Sequence, residues 1–263
     1  MKKSLIALAL VSAFAAPVFA QTAAPAAEAA PAIHTITANV GMVSDYVFRG
    51  ISQSQHQPAV QGGVDYAHVS GLYVGAWGSM IEWADRKDLQ VHKDNQVELD
   101  LYGGFKNAVG DFGYDLGAIR YFYPGKFQSG AGVTANTTEI YIGGSWKFIS
   151  LKYNYVVSSS IFNWGGTTAD TKTRGSNYTD LTVTYPVNET LNLIAHLGRQ
   201  EINHFGAASY TDWKLGATKD FGFAVVGLAY TGTDAKAKAG QAYRWADKDV
   251  GKGVVALSLS KTF

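Results

Sequence analysis

Three observations predict that this chain is all-β and closes into an antiparallel transmembrane β-barrel of about 12 strands. From residue 34 onward, segments of about ten residues alternate apolar and polar side chains. The connections between them alternate short and long without a break. The last segment sets Val255, Leu257, Leu259 and Phe263 against Val254, Ala256, Ser258, Ser260 and Thr262, and stops on an aromatic. Alternation of this kind arises when the two faces of a strand meet different media. A final strand ending on an aromatic has the form of an outer-membrane insertion signal, so Phe263 is expected to engage the barrel-insertion machinery.

The N-terminus agrees with export. Lys2-Lys3 is a basic region, Leu5 to Ala16 is apolar, and Val18-Phe19-Ala20 fits a small-residue cleavage site. Residues 1–20 therefore read as a signal peptide, too short for a membrane span. Removing Lys2 and Lys3 leaves 20 basic residues against 21 acidic ones, a net charge of −1 that excludes a general nucleic-acid binder. Cysteine is absent, so no disulfide holds the exported fold. Residues 21–33 are an Ala/Pro tract with no face to bury and read as a flexible leader. Residues 34–263 are long enough for one barrel, and no later run reaches the roughly 18 apolar residues of a membrane helix. The 29 glycines and 34 aromatic residues of the chain favour short strands over helices.

The strands follow in order. The first is expected over Thr35 to Arg49, with Ile36, Ala38, Val40, Met42, Tyr46 and Phe48 opposite Thr37, Asn39, Gly41, Asp45 and Arg49. The second runs from Pro58 to His68 and places Asp65 on the polar face. The third, Leu72 to Trp83, has two faces that are hard to separate. The fourth is the clearest: Val97, Leu99, Leu101 and Phe105 alternate with Gln96, Glu98, Asp100 and Tyr102. The fifth, Phe112 to Tyr123, carries Asp115, and the sixth, Thr138 to Trp146, carries Glu139. The seventh, Ser150 to Ser158, carries Lys152, and the eighth, Tyr178 to Tyr185, carries Asp180. The ninth, Leu191 to Gln200, carries His196, and the tenth, Ser209 to Lys219, carries Asp212 and Lys214. The eleventh spans Phe221 to Tyr230 with little polarity, and the twelfth is the C-terminal segment. An even count puts both ends of a closed antiparallel barrel on one side of the membrane.

Five short links, after the second, fourth, sixth, eighth and tenth strands, alternate with six longer ones. Outer-membrane barrels show this rhythm as short periplasmic turns and long extracellular loops. Phe105, Phe112, Phe148, Tyr185, Phe221 and Phe263 lie beside short turns or the C-terminus. Tyr46, Phe48, Trp83, Tyr123, Tyr210 and Tyr230 lie beside long loops. Two aromatic girdles at two interfaces would produce this pattern; ordinary half-buried strand aromatics would too.

Closure pairs every backbone group that would otherwise face hydrocarbon. The apolar faces then turn outward and the polar faces inward. The expected lining of the bore is Asp45, Arg49, Asp65, Glu98, Asp100, Asp115, Glu139, Lys152, Asp180, His196, Asp212 and Lys214, with eight acids among them and three permanent bases. Packed dry and unpaired, such charges cost several kcal/mol each, so a hydrated interior is expected. Eight strands are filled by side chains and sixteen leave an open channel. Twelve predict a narrow pore obstructed by side chains or a folded-in loop. The acidic surplus predicts a weak cation preference. The plainer reading of each inward acid is a structural ion pair, such as Asp212 with Lys214 or Glu98 with a basic neighbour. Asp45 and Arg49, four apart on one face, read as a charged pair that anchors the first long loop to the wall, in preference to a selectivity device.

The segment Val43-Ser44-Asp45-Tyr46-Val47-Phe48-Arg49-Gly50-Ile51-Ser52-Gln53 resembles the opening motif of the TorF family of proteobacterial porin-like outer-membrane proteins, also called Gcw_chp proteins. Gln57-Pro58-Ala59-Val60-Gln61-Gly62-Gly63, Gly71 to Ser79, Glu98 to Gly104 and Tyr121-Phe122-Tyr123-Pro124-Gly125 extend the resemblance, which is densest from 40 to 145. It implies an outer-membrane location and passage of small hydrophilic solutes. It carries over no substrate and no site residue.

Other functions are weaker readings. An outer-membrane lipid hydrolase needs a nucleophile, a base and a group orienting the base. His196 lies beside Asn192 on a polar face, yet no Gly-x-Ser-x-Gly or His-x-Ser-Asn-Gly segment occurs. No two histidines stand at ligand spacing, so neither a metal nor another cofactor is expected. An adhesin or receptor barrel would work through its loops. The last loop, with Lys236, Lys238, Arg244, Lys248 and Lys252 against Asp234, Asp247 and Asp249, is mildly basic and would suit lipopolysaccharide or plain solvation. A lipocalin-like soluble barrel would turn its apolar face inward.

Overall fold

The protein, seen as a computed structural model, is described over residues 32–83, 96–124, 135–162, 164, 172–245 and 247–263. The expected signal segment, and the leader through residue 31, lie outside them. Twelve antiparallel strands follow one another around a closed barrel. They are β1 (His34–Val43), β4 (Ala59–His68), β5 (Leu72–Met80), β6 (Val97–Val109), β7 (Phe112–Phe122) and β8 (Thr137–Trp146). The circuit continues through β9 (Ile149–Val156), β10 (Asn177–Pro186), β11 (Leu191–Glu201), β12 (Tyr210–Asp220), β13 (Val225–Thr233) and β16 (Val254–Thr262). β1 pairs with β16 to close the ring, Asn39 opposite Thr262 and Val43 opposite Ser258. Closure leaves no free edge. Two small hairpins lie off the barrel: β2 (Val47–Phe48) with β3 (Ile51–Ser52), and β14 (Arg244–Trp245) with β15 (Lys248–Asp249).

The faces are inverted relative to a soluble barrel. On β6, Leu99 and Leu101 are 42% and 60% exposed on the outside, while Glu98 and Asp100 are 2% and 1% exposed inside. Val40, Met42, Val64, Val74, Leu116, Ile142, Leu151, Leu181, Leu197, Leu215, Leu228 and Leu257 continue the exposed apolar belt. The buried apolar cluster sits within the barrel at the long-loop end, built around Tyr46, Phe48, Ile51, Trp83, Tyr121, Tyr123, Tyr210 and Tyr243.

Three expectations need correction. First, β1 stops at Val43, so Asp45 and Arg49 do not extend that strand. The chain turns inward there, because Arg49-Gly50 between Val47-Phe48 and Ile51-Ser52 forms a two-residue hairpin with φ of 46° and 78°, the backbone that primed hairpin turns need. Second, the aromatics beside the long loops do not form a girdle. Tyr46, Phe48, Trp83, Tyr123 and Tyr210 are buried inside, and of that set only Tyr230 faces out. Phe122, Tyr155 and Trp213 are exposed at that end instead. At the other end Phe112, Phe148, Tyr185, Phe221 and Phe263 are exposed as expected, while Phe105 is half-buried. Third, the inward charges do not rely on a hydrated interior alone. Most are fully buried and held by side-chain partners, which is the other way to avoid the cost of an isolated buried charge.

Candidate functional site

The first long connection, residues 44–58, folds into the bore and fills its long-loop half. Tyr46, Ile51, Ser52 and Ser54 are 1–3% exposed. Backbone bonds tie the hairpin to neighbouring loops: Ser52 N–H donates to the Val250 carbonyl, and Glu82 and Trp83 N–H donate to that of Gln53.

Arg49 stands at the hairpin tip and crosses to the far wall. Its guanidinium donates to both carboxylate oxygens of Glu139 on β8, at 2.9 and 2.6 Å, and to the side-chain oxygen of Gln200 on β11 at 3.0 Å. It lies over the rings of Tyr178 and Phe48, 4.4 and 4.8 Å from their centroids. Such a two-pronged pair is specific to Arg, whose planar fork matches a carboxylate.

Asp45 does not meet Arg49. Its carboxylate accepts from the hydroxyls of Ser52 (2.6 Å) and Ser54 (3.1 Å) and pairs with Nδ1 of His56 at 2.7 Å. The other ring nitrogen of His56 meets the Asp249 carbonyl at 2.9 Å. Asp45 thus braces the base of the loop and Arg49 latches its tip. The serine–carboxylate–histidine order is not a nucleophile arrangement, since both hydroxyls reach the carboxylate and not the imidazole.

The remaining inward residues fall into two groups. Glu98 and Asp100 lie beneath the hairpin. Glu98 accepts from the Tyr46 hydroxyl at 2.8 Å, in place of the basic neighbour expected for it. Neither carboxylate oxygen of Asp100 has a hydrogen-bond partner among the described residues.

Around half the barrel runs one register row: Asp115, Gly143, Lys152, Asp180, Gly198, Asp212 and Thr233. Asp115 accepts from Tyr73 at 2.7 Å, Tyr73 meets Tyr141, and the Lys152 ammonium sits 3.6 Å from the Tyr141 ring centroid. His196 bridges Asp180 (3.3 Å) and Asp212 (2.9 Å), and Tyr178 donates to Asp212 at 3.0 Å. Asp212 is therefore engaged by His196 and Tyr178, where Lys214 was the expected partner. Lys214 is half-buried opposite His196 across the β11–β12 ladder. Asp65, half-buried, accepts from Tyr102 at 2.6 Å.

The inward tyrosines need glycine beside them. A Cβ on Gly198 would stand 2.0 Å from the Tyr178 hydroxyl, and one on Gly117 2.4 Å from that of Tyr141. These glycines give large inward rings room against the wall. Among the described residues no group of three or more His, Asp or Glu side chains is placed to hold a metal ion. His196 has both ring nitrogens engaged by Asp180, Asp212, Thr182 and Tyr178, none of them a serine.

Sequence reasoning put all twelve residues on the inner side but missed the inward hairpin that organises Asp45, Arg49, Glu98 and Glu139 among them. The signal for it was present: Arg49-Gly50 flanked by two pairs of strand-forming residues.

A family model described as a bacterial protein of unknown function, Gcw_chp, matches residues 26–263. Among solved structures, the chain is similar to the KdgM porin at 6% identity, covering 87% of this chain and 97% of that one with a TM-score of 0.50. It is similar to the NanC porin at 11% identity, covering 87% and 98% with a TM-score of 0.51. At these identities the likeness shows the fold alone. No curated protein matches the chain.

Proposed function

The chain belongs to the Gcw_chp family, and from that premise we propose that it is an outer-membrane channel, without enzymatic activity, for passive diffusion of small hydrophilic solutes or ions. The observation that carries this reading is the inverted barrel: an apolar exterior suited to acyl chains and an interior built from charged and phenolic side chains. In this reading the short turns face the periplasm and the long loops face outside, in contact with lipids and lipopolysaccharide. The strand ending at Phe263 is what the insertion machinery engages.

The twelve inward residues named above line or flank the path, and the first loop sets its narrowest part. With eight acids against Arg49, Lys152 and Lys214, and with the Asp100 carboxylate unpartnered among the described residues, a weak cation preference follows. Purified protein in a planar bilayer should give discrete conductance steps, and a salt gradient should give a reversal potential of cation-selective sign. A bilayer that stays silent would favour a receptor barrel whose bore the first loop keeps shut, a reading that the deep burial of residues 45–55 also supports.

The outward face makes a separate prediction. Leu101→Arg puts a charge in the middle of the apolar belt of β6, which costs about 2–4 kcal/mol at a bilayer midplane. Assembly into lipid vesicles, followed by the shift in gel mobility between folded and heated protein, should show a marked loss for Leu101→Arg. The same substitution at Val109, beside a short turn, should show little.

A further inference from the structure

A cavity of about 110 Å³ lies between the inward hairpin and the last loop, lined by Phe48, Gln53, Trp83, Trp164, Gln200, Tyr210 and Trp245 among others. Its full lining contains no Asp, Glu, Lys, Arg or His. This is unusual in a bore otherwise rich in charge, and it selects against an anionic occupant: a carboxylate here would lose water, gain no counter-charge and meet the negative faces of aromatic rings. The volume is of the order of the ~150 Å³ cavity that admits one benzene ring, so a single six-membered ring is the natural size.

The polar groups narrow the chemistry. The indole N–H of Trp83, a residue only 5% exposed, has no hydrogen-bond partner among the described residues. A buried donor without an acceptor is costly, and an occupant with an oxygen in reach removes that cost. The side-chain amides of Gln53 and Gln200 stand in the same lining. Trp83 and Trp245 face the space as neighbours, their ring centroids 6.0 Å apart and their planes inclined at 50°. Indole faces offer flat apolar contact, and the Trp83 N–H offers a hydrogen bond at its edge, the amide N–H groups of Gln53 and Gln200 already donating to backbone carbonyls.

We propose that this chamber is a binding site for one pyranose ring of an uncharged sugar, with its C–H face against indole and a ring or hydroxyl oxygen accepting from Trp83. An aromatic hydrocarbon would fill the space and leave that N–H unpaired. An acidic sugar would bring a carboxylate with no basic partner in the lining. The site stands whether or not the barrel conducts, because binding is an equilibrium property of the folded chain.

The test is tryptophan fluorescence of the detergent-purified full chain, titrated separately with glucose, glucuronate and benzyl alcohol. Glucose should give a saturable change, while glucuronate over the same range should give none. Trp83→Phe keeps an apolar ring and removes the donor; it should weaken the glucose midpoint at least fivefold. Trp213→Phe, on the outer face, should leave that midpoint unchanged. The proposal is overturned by an absent glucose response, by glucuronate matching glucose, by benzyl alcohol saturating the signal at lower concentration than glucose, or by a folded Trp83→Phe protein with the original midpoint. Should Trp83→Phe not fold, the wild-type comparison among the three solutes decides by itself.

Discussion

Replacing Arg49 by alanine is expected to widen the channel and to destabilise the barrel at once. The guanidinium holds the hairpin tip through two bonds to Glu139 and one to Gln200, in a space closed by the rings of Phe48 and Tyr178. Truncation removes the latch, so residues 44–58 lose their fixed position across the bore. It also strands Glu139, which is 1% exposed, without its counter-charge. Breaking a buried pair by deleting one partner costs about 3–5 kcal/mol. Single-channel conductance of Arg49→Ala should rise, and cation preference should strengthen, because a fixed positive charge leaves the constriction. The two effects separate in a double variant. Arg49→Ala with Glu139→Gln removes the stranded charge, so it should recover much of the unfolding midpoint in urea while keeping the larger conductance. Arg49→Lys should fall between, since an ammonium cannot reproduce the forked geometry. A folded Arg49→Ala protein conducting as the wild type does would mean that the first loop does not set the constriction.

Most of the barrel was legible in the sequence because its walls obey one local rule. A strand between lipid and a polar interior shows period-two alternation, and β6, β8, β10 and β11 show it so strongly that their observed ends lie within a few residues of those expected. Register then puts Glu98, Asp100, Glu139, Asp180 and Asp212 inside with no further information. Local pattern fails where the chain leaves the wall. Tyr46 and Phe48 keep the alternation of β1 and so read as its continuation, yet they pack inside against Trp77 and Tyr121. Their partners come from strands far along the chain, and no local period encodes that. The partner choices inside were equally hidden: Glu98 takes Tyr46 across 52 residues, and Arg49 takes Gln200 across 151. Sequence alone put these charges on the inner face of the wall and left unresolved how they are satisfied.

Gly50→Ala should reproduce the functional effect of losing Arg49 without touching a charged group. Gly50 has φ of +78°, where a side chain costs roughly 1–2 kcal/mol. A Cβ there would also lie 2.4 Å from Cγ2 of Thr233 and 2.5 Å from Cβ of Asp212, on the adjoining wall strands β13 and β12. Neither atom is the free end of a flexible chain, and Asp212 is held by His196 and Tyr178. The tip therefore has to back away from the wall, and Arg49, its neighbour in the turn, is drawn from Glu139. Conductance should rise and the urea midpoint should fall, and adding Arg49→Ala should change conductance little further, because the two substitutions undo the same contact. Gly110→Ala provides the comparison. Gly110 also has positive φ, +63°, but an added Cβ meets nothing within 4 Å, so only the backbone cost applies. That variant should lose a little stability and keep wild-type conductance. If Gly50→Ala behaves as Gly110→Ala does, the hairpin tip is not wedged against β12 and β13, and the latch has to be sought elsewhere in the loop.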